Sequence, residues 1–322
     1  MATPRATAKG RSGGNEAWAA RLGRSASAGD LAVVGVAAVW GSSYAVMQAV
    51  NATGLSFPNF LALRFAAAAL PLLVYAVLAR VRVNRRELRH GLLYGALLFT
   101  ILLLETSGVA YTSAANAGFL ITLSVILVPL YSRVFGGVRQ RPAIYALSAV
   151  ALLGCAALTL GSSGAPFAVR PGDGLILAAA LVRAYQIFSF GRTSSHRDFN
   201  VLSVTLVEVV VVAALSLLVS PLFGPLLTEQ VSAITPGVWV LIAYLGVLGT
   251  AFAFAAQLFA ARRTSATRVA IIMSTEPVFA AFFAIVLRGE GLMLMQIVGG
   301  VLIVVAAAFG RLLENRAQEA AA

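Results

Sequence analysis

The sequence contains little from which catalytic or disulfide chemistry could be built. Its 322 residues include one cysteine, Cys155, and two histidines, His90 and His196. A lone cysteine excludes an intrachain disulfide and a thiolate metal site. The histidines lie far apart in polar connections, and no glycine loop of the ATP-binding type is present. We therefore expect a protein that is not an enzyme and that uses no cofactor and no metal.

Charged residues are also scarce. Asp, Glu, Lys and Arg make up 11% of the chain and 60% of its residues are hydrophobic, whereas soluble domains are about a quarter charged. Twelve acidic and 24 basic side chains could not cover the surface of a soluble fold of this length. The net charge is +12, but the basic residues form short clusters between apolar runs, which argues against nucleic-acid binding. The composition predicts an all-α integral membrane protein.

Apolar runs long enough to cross a hydrocarbon layer of ~30 Å recur along the chain. Because backbone groups in lipid must be satisfied within the segment, we expect each run to be a helix. About ten transmembrane helices are predicted, over residues 31–50, 58–79, 91–111, 114–135, 143–161, 173–191, 200–222, 237–259, 266–287 and 292–312. Residues 1–29 are interpreted as a mobile cytoplasmic tail and residues 313–322 as a cytoplasmic C-terminal tail. A signal peptide is the alternative for the first run, but that run is longer than a signal core and lacks an obvious cleavage site.

The basic residues also predict the orientation. With a cytoplasmic N-terminus, twenty basic residues fall in inside segments and only Arg170 and Arg288 fall outside. Positive residues concentrate on the cytoplasmic side of membrane proteins. We therefore expect a multi-pass protein of the plasma membrane, the inner membrane of a bacterium, with both termini in the cytoplasm.

The two halves of the chain resemble each other. The tripeptide Thr-Ser-Ala at 112–114 recurs at 264–266, and the same offset of 152 aligns Glu105 with Gln257 and Ser124 with Glu276. Each repeat, 30–161 and 173–312, holds five predicted helices, so the second enters the membrane inverted. Inverted repeats are typical of secondary transporters, which bind substrate between the halves near mid-membrane. The alternative is that membrane helices simply look alike, since a three-residue match alone is weak.

Several stretches resemble the EamA-type transporters of the drug/metabolite transporter superfamily. They are residues 40–44, 63–65, 111–119, 245–251, 264–279, 289–290 and 299–300, and the resemblance extends from about 31 to 312. It implies a ten-helix plasma-membrane carrier, often an exporter of amino acids or other metabolites, without specifying the substrate. The chain departs from the family at Arg183, where the sixth helix of relatives often has Trp followed by Ala.

Charged side chains inside membrane helices are costly, so each is a functional candidate. Arg183 lies about ten residues into its helix, or ~15 Å, and is therefore near the midplane. Glu276 and Trp40 are similarly deep. We expect Arg183 to meet an anionic group such as a substrate carboxylate, and Glu276 to bind an ammonium group or a coupling proton. The alternative is a structural ion pair of Arg183 with Glu276 or Glu208.

Further candidates for the site are polar residues in the predicted helices: Glu105, Ser42, Ser43, Asn116, Tyr185, Gln186 and Gln257. Hydrogen bonds between helices are the alternative role for the neutral ones. Trp40 is expected to stack on the substrate or to belong to the core. Pro277, which follows Glu276, removes a backbone donor and predicts a kink in the ninth helix.

Together these features predict a secondary transporter, an exporter of a small metabolite such as an amino acid, that alternates access around a midplane site. Transport would be driven by an ion gradient, such as that of protons, or would be facilitated diffusion without coupling. Its partners are the substrate and the lipid bilayer, without nucleic acid, and the oligomeric state is not predicted. The alternative is a membrane-embedded subunit or a channel without carrier activity.

Overall fold

The computed structural model describes residues 12–112, 117, 120–137, 141–163, 170–194, 200–261, 269, 272–273, 275–288 and 293–319. These residues form helices and connections, without strands. The long helices are α1 (Ser12–Asn51), α2 (Phe57–Leu78), α3 (Arg85–Tyr111), α4 (Ser124–Val134), α5 (Pro142–Ser163), α6 (Pro171–Ser194), α7 (Val201–Val219), α8, α9 (Glu276–Arg288) and α10 (Leu294–Glu319). Helix α8 combines the α-helical segments Pro236–Ala243 and Ala253–Ala261 with a π-helical segment, Tyr244–Phe252, between them.

Two helices begin earlier than hydrophobicity predicts. Helix α3 starts at Arg85 because Asn84 and Glu87 form a capping box, with backbone-to-side-chain distances of 2.8 and 3.0 Å. Helix α1 starts at Ser12, well inside the segment that we predicted to be a mobile tail. Once the membrane part is helical, added residues need no new nucleus. Residues 1–11 lie outside the described part.

The helices have the length and surface of a membrane protein. Five of the described helices are long and apolar enough to cross a bilayer: Phe57–Leu78, Arg85–Tyr111, Pro171–Thr193, Leu202–Leu222 and Pro236–Gln257. Shorter apolar helices are Ala28–Ser43, Leu120–Val134, Pro142–Ala157 and Leu294–Ala306. On α2, large apolar side chains such as Leu70, Val74 and Leu78 are 59–78% exposed. Lipid, rather than water, accommodates such a surface, so the protein is embedded in a membrane.

Helix packing repeats between the halves. Helix α3 lies against α6 and α7, and α8 correspondingly lies against α1 and α2. Helix α4 packs on α6 as α9 packs on α1, while α2 pairs with α7 and α5 with α10. Exchanging each helix for the one five places along leaves this set of neighbours unchanged. The long helices of the described structure therefore form two units, α1 to α5 and α6 to α10, with matching neighbours in a pseudo-twofold arrangement.

Candidate functional site

A cavity of about 250 Å³ lies between the two units. Its described wall is contributed by α1, α2, α3, α4, α6, α7, α8 and α9, whereas α5 and α10 pack together elsewhere. Most of the lining is apolar. The charged side chains on the wall are those of Arg64, Glu105, Arg183, Glu208 and Glu276. A mainly apolar cavity with a few convergent polar groups is the usual form of a small-molecule site.

Nine pairs of lining residues come from equivalent positions of the two units. In each pair, both residues line the cavity. The two members lie 143 positions apart in α1 and α6, 144 apart in α2 and α7, and 152 apart in the remaining helices. The pairs are Trp40 and Arg183, Ser43 and Gln186, Met47 and Phe190, Arg64 and Glu208, Leu98 and Thr250, Leu102 and Phe254, Glu105 and Gln257, Ile121 and Met273, and Ser124 and Glu276. The internal repeat therefore extends to the wall of the site. Charge, by contrast, differs between the two members of every pair that contains an ionisable residue, so the cavity is chemically asymmetric.

Helical phase decides which neighbours face the cavity. In α1 and α6 the lining residues follow the spacing i, i+3 and i+7, which places them on one face. Ser42 is off this face, and its hydroxyl hydrogen-bonds the Tyr244 hydroxyl at 2.6 Å. Tyr185 points outward, is 41% exposed and packs edge-on against Tyr131. These two predicted site residues therefore do not line the cavity.

Arg183 forms an ion pair across the cavity wall. Its guanidinium donates to the Glu105 carboxylate at 3.1 Å, with side-chain exposures of 18% and 8%. The same guanidinium lies over the Trp40 ring, 5.8 Å from its centroid. The sequence offers Glu276 or Glu208 as the alternative partner, whereas the ion pair that the structure shows is with Glu105, which is within reach because α3 packs along α6. The pair puts a cation, an anion and an aromatic face in one part of the cavity.

The π-helical segment of α8 completes the opposite wall. Trp40 Nε1 donates to the Gly249 carbonyl at 2.8 Å, and Arg64 Nε donates to Thr250 Oγ1 at 3.1 Å. A Cβ at Gly246 would come within 2.6 Å of the Arg64 carbonyl oxygen, so only glycine lets α8 approach α2 this closely. π-helical turns are rare and often mark functional sites. Here the π-helical segment holds the Trp40 indole and the Arg64 guanidinium beside the cavity.

A second polar group lies on the wall formed by α6 and α7. Glu208 is 5% exposed, and its Oε1 accepts a hydrogen bond from Gln186 Nε2 at 2.8 Å. The same nitrogen donates to the Tyr94 carbonyl at 3.1 Å. Gln186 is thereby held in one orientation between α3 and α7.

The helical path is interrupted at equivalent places beside the cavity. Leu123 and Thr275 each form a turn, and Ser124 and Glu276 are the first residues of α4 and α9. The backbone N–H of Thr275 donates a hydrogen bond to the Ile272 carbonyl at 3.0 Å. The ninth helix, predicted as one span over 266–287, thus restarts just before Pro277 instead of kinking within a continuous helix. Discontinuous helices near substrate sites are a recurring feature of transporters.

The structure brings seven of the predicted site residues together on the cavity wall: Arg183, Glu276, Trp40, Ser43, Gln186, Glu105 and Gln257. Asn116 lies outside the described residues. Arg64 and Glu208 also line the cavity, although neither was predicted as a site residue. Their equivalent positions, 144 apart, are the sequence signal that could have identified them.

Comparison with known proteins gives one family and one fold. The model of the EamA-like transporter family matches residues 27–160 and again residues 170–310. No curated protein matches. A crystal structure is similar with a TM-score of 0.73 and 23% identity, over 90% of this chain and 98% of its own. At that identity the likeness establishes the fold alone.

Proposed function

Because this chain belongs to the EamA-like transporter family, we propose that it is a secondary transporter that exports a small metabolite across the plasma membrane. The observation that carries the proposal is the cavity between the two units, with its Arg183–Glu105 ion pair beside Trp40. Rocking of the two units would open this cavity to each side in turn. Such a cycle needs neither nucleotide nor metal.

The lining supports a small amphipathic substrate with an anionic group, such as an amino acid. The cavity, at about 250 Å³, is smaller than the pockets of about 300–1,000 Å³ that hold drug-sized ligands. A substrate carboxylate would compete with Glu105 for the guanidinium of Arg183, which offers several N–H donors. Glu276 would receive an ammonium group, and the apolar wall would receive the side chain.

The proposed topology has ten membrane helices, α1 to α10, with both termini in the cytoplasm. Five helices per unit make the units inverted relative to each other. The distribution of twenty basic residues inside and two outside supports this orientation. An ion gradient, for which the proton is the simplest candidate, would drive export.

Counterflow in proteoliposomes tests the proposal. Vesicles are loaded with unlabelled amino acids and related metabolites, and the entry of each labelled compound is followed for wild type and for Arg183→Ala. A carrier gives saturable exchange. We expect Arg183→Ala to lose about 10- to 100-fold in exchange, corresponding to about 1.5–3 kcal/mol for a hydrogen bond between charged groups.

Arg192→Ala is the matched control, because Arg192 is an exposed arginine in the last turn of the same helix, α6. It should exchange like wild type. Currents that do not saturate, with no counterflow, would instead identify a channel. Full exchange by well-inserted Arg183→Ala would refute the role of this arginine in binding a carboxylate.

A further inference from the structure

The transport function proposed above assigns no role to Glu208. It lies in α7 on the cavity wall and is 5% exposed. In the described part of the chain, no basic side chain lies within salt-bridge distance of its carboxylate. A charged carboxylate inside a membrane protein is costly unless it is paired and hydrogen-bonded. The residue is therefore a candidate for a function that requires a change of charge.

Gln186, the hydrogen-bond partner of Glu208 among the described residues, has a fixed orientation. The Tyr94 carbonyl can only accept, so Gln186 must turn its amide nitrogen towards Tyr94, at 3.1 Å. The second N–H of that nitrogen then reaches Glu208 Oε1, at 2.8 Å. From the described residues Glu208 thus receives a single N–H, whereas an ionised carboxylate has about four acceptor sites to satisfy. An amide N–H cannot ligate a metal cation, so the arrangement suits a proton better than sodium.

The surrounding charges point in the same direction. Among the elements packed on α7, α2 presents Arg64 to the cavity and α3 presents Glu105, while α8 presents no titratable group there. Arg183 and Glu276 face the same space from α6 and α9. These four side chains comprise two cations and two anions. A neutral Glu208 therefore leaves the charges on the described part of the cavity wall balanced, and an ionised one adds a negative charge there.

The remaining titratable side chains near α7 are engaged elsewhere. The Tyr94 hydroxyl hydrogen-bonds Thr193 at 2.8 Å, and His90 stacks on the Tyr94 ring. Glu87, at the cytoplasmic end of α3, accepts from the backbone N–H groups of Asn84 and Asn200. None of these groups is part of the cavity wall.

We propose that Glu208 is the residue that carries a proton in exchange for substrate. With the cavity closed and empty, the carboxyl holds its proton. When the cavity opens to water and substrate enters, the O–H bond breaks, the proton passes to water, and the carboxylate favours a positively charged substrate group. Protonation from the other side reverses the step and releases the substrate. This inference rests on the proposed transport function and assigns its coupling residue.

Infrared difference spectroscopy tests the proton site without knowledge of the substrate. Reconstituted wild type, Glu208→Gln and Glu87→Gln are titrated with pH, and the carbonyl stretch of protonated carboxylic acids is recorded in H₂O and D₂O. We expect a pH-dependent band in wild type and in Glu87→Gln that is lost in Glu208→Gln. Glu87 is a matched control because it is equally buried, at 3%, but lies outside the cavity. Identical spectra for wild type and Glu208→Gln would overturn the assignment.

Transport measurements then test coupling, with an amino acid that wild type exchanges. A gradient of about one pH unit should drive about tenfold accumulation in a one-to-one exchange, because the two represent the same free energy. Glu208→Gln should lose this accumulation, and any counterflow that it retains should no longer depend on pH, while Glu87→Gln keeps both accumulation and counterflow. Accumulation by Glu208→Gln would refute the coupling role. If wild type exchanges no amino acid, the proposed substrate class fails, and the infrared result still decides whether Glu208 holds the proton.

Discussion

Mutation of either member of the Arg183–Glu105 ion pair should destabilise the protein. Mutation of both should cost less than the sum of the two single effects. The two side chains meet at 3.1 Å with exposures of 18% and 8%, so water screens them little. Arg183→Met strips Glu105 of this cation, and Glu105→Gln strips Arg183 of this anion. Arg183 would still lie over the Trp40 ring, 5.8 Å away.

The structure sets the sizes of these effects. Removing one partner of a buried pair costs several kcal/mol, and the lower end applies here because the pair borders a cavity. We expect about 3 kcal/mol for Arg183→Met and about 2 kcal/mol for Glu105→Gln, which retains the contact of the guanidinium with the ring. Since a neutral pair avoids the uncompensated charge, the double variant should cost about 3 kcal/mol rather than about 5, a coupling of about 2 kcal/mol.

The protein contains its own probe for this measurement. Cys155 is the single cysteine and is fully buried in α5. A thiol-reactive fluorophore therefore reports unfolding in detergent as temperature or denaturant is raised. Arg86→Met serves as the control, because Arg86 is exposed at the start of α3 and its removal should change stability by about 0.5 kcal/mol or less. Additive costs for the two single variants would show that the pair does not form and would refute the geometry of the site.

The packing around α8 provides two further predictions. Gly246→Ala should lower the unfolding temperature in the same assay, because its Cβ would come within 2.6 Å of the Arg64 carbonyl oxygen. Gly237→Ala is the control and should not lower it, because there is open space around Gly237. Equal shifts for the two variants would contradict the close approach of α8 to α2. Trp40→Phe should cost about 1 kcal/mol, because the ring remains while the hydrogen bond to the Gly249 carbonyl, 2.8 Å in length, is lost. An unchanged unfolding midpoint for Trp40→Phe would show that this bond does not contribute.

Hydrophobicity predicts the interior of a membrane helix better than its ends. The run at 58–79 corresponds to α2 at Phe57–Leu78, because lipid burial alone selects those residues. The start of α3 depends on a local capping box at Asn84, and α1 extends to Ser12 by propagation, so an apolar window misses both. The break at Thr275 depends on local turn geometry that the apolar pattern of residues 266–287 does not report.

The sequence predicts site residues whose charge is energetically costly inside a membrane. It does not predict the direction in which a side chain points. Arg183 and Glu276 were evident because charges deep in a membrane helix require a reason. Ser42 and Tyr185 do not line the cavity, although Ser43 and Arg183 at similar depth do, because depth in a helix does not specify the direction of a side chain. The partner of Arg183 could not be predicted, because it depends on which helix packs against α6.

The account rests on the cavity being the place where substrate binds, and thiol blocking tests this most directly. Ser43 is buried on the cavity wall, so Ser43→Cys introduces a nearly isosteric thiol there. A small thiol reagent should abolish counterflow of a labelled amino acid by Ser43→Cys and spare wild type, whose Cys155 is fully buried. Excess unlabelled substrate should slow the block. Undiminished counterflow after complete labelling of the introduced thiol would contradict the account.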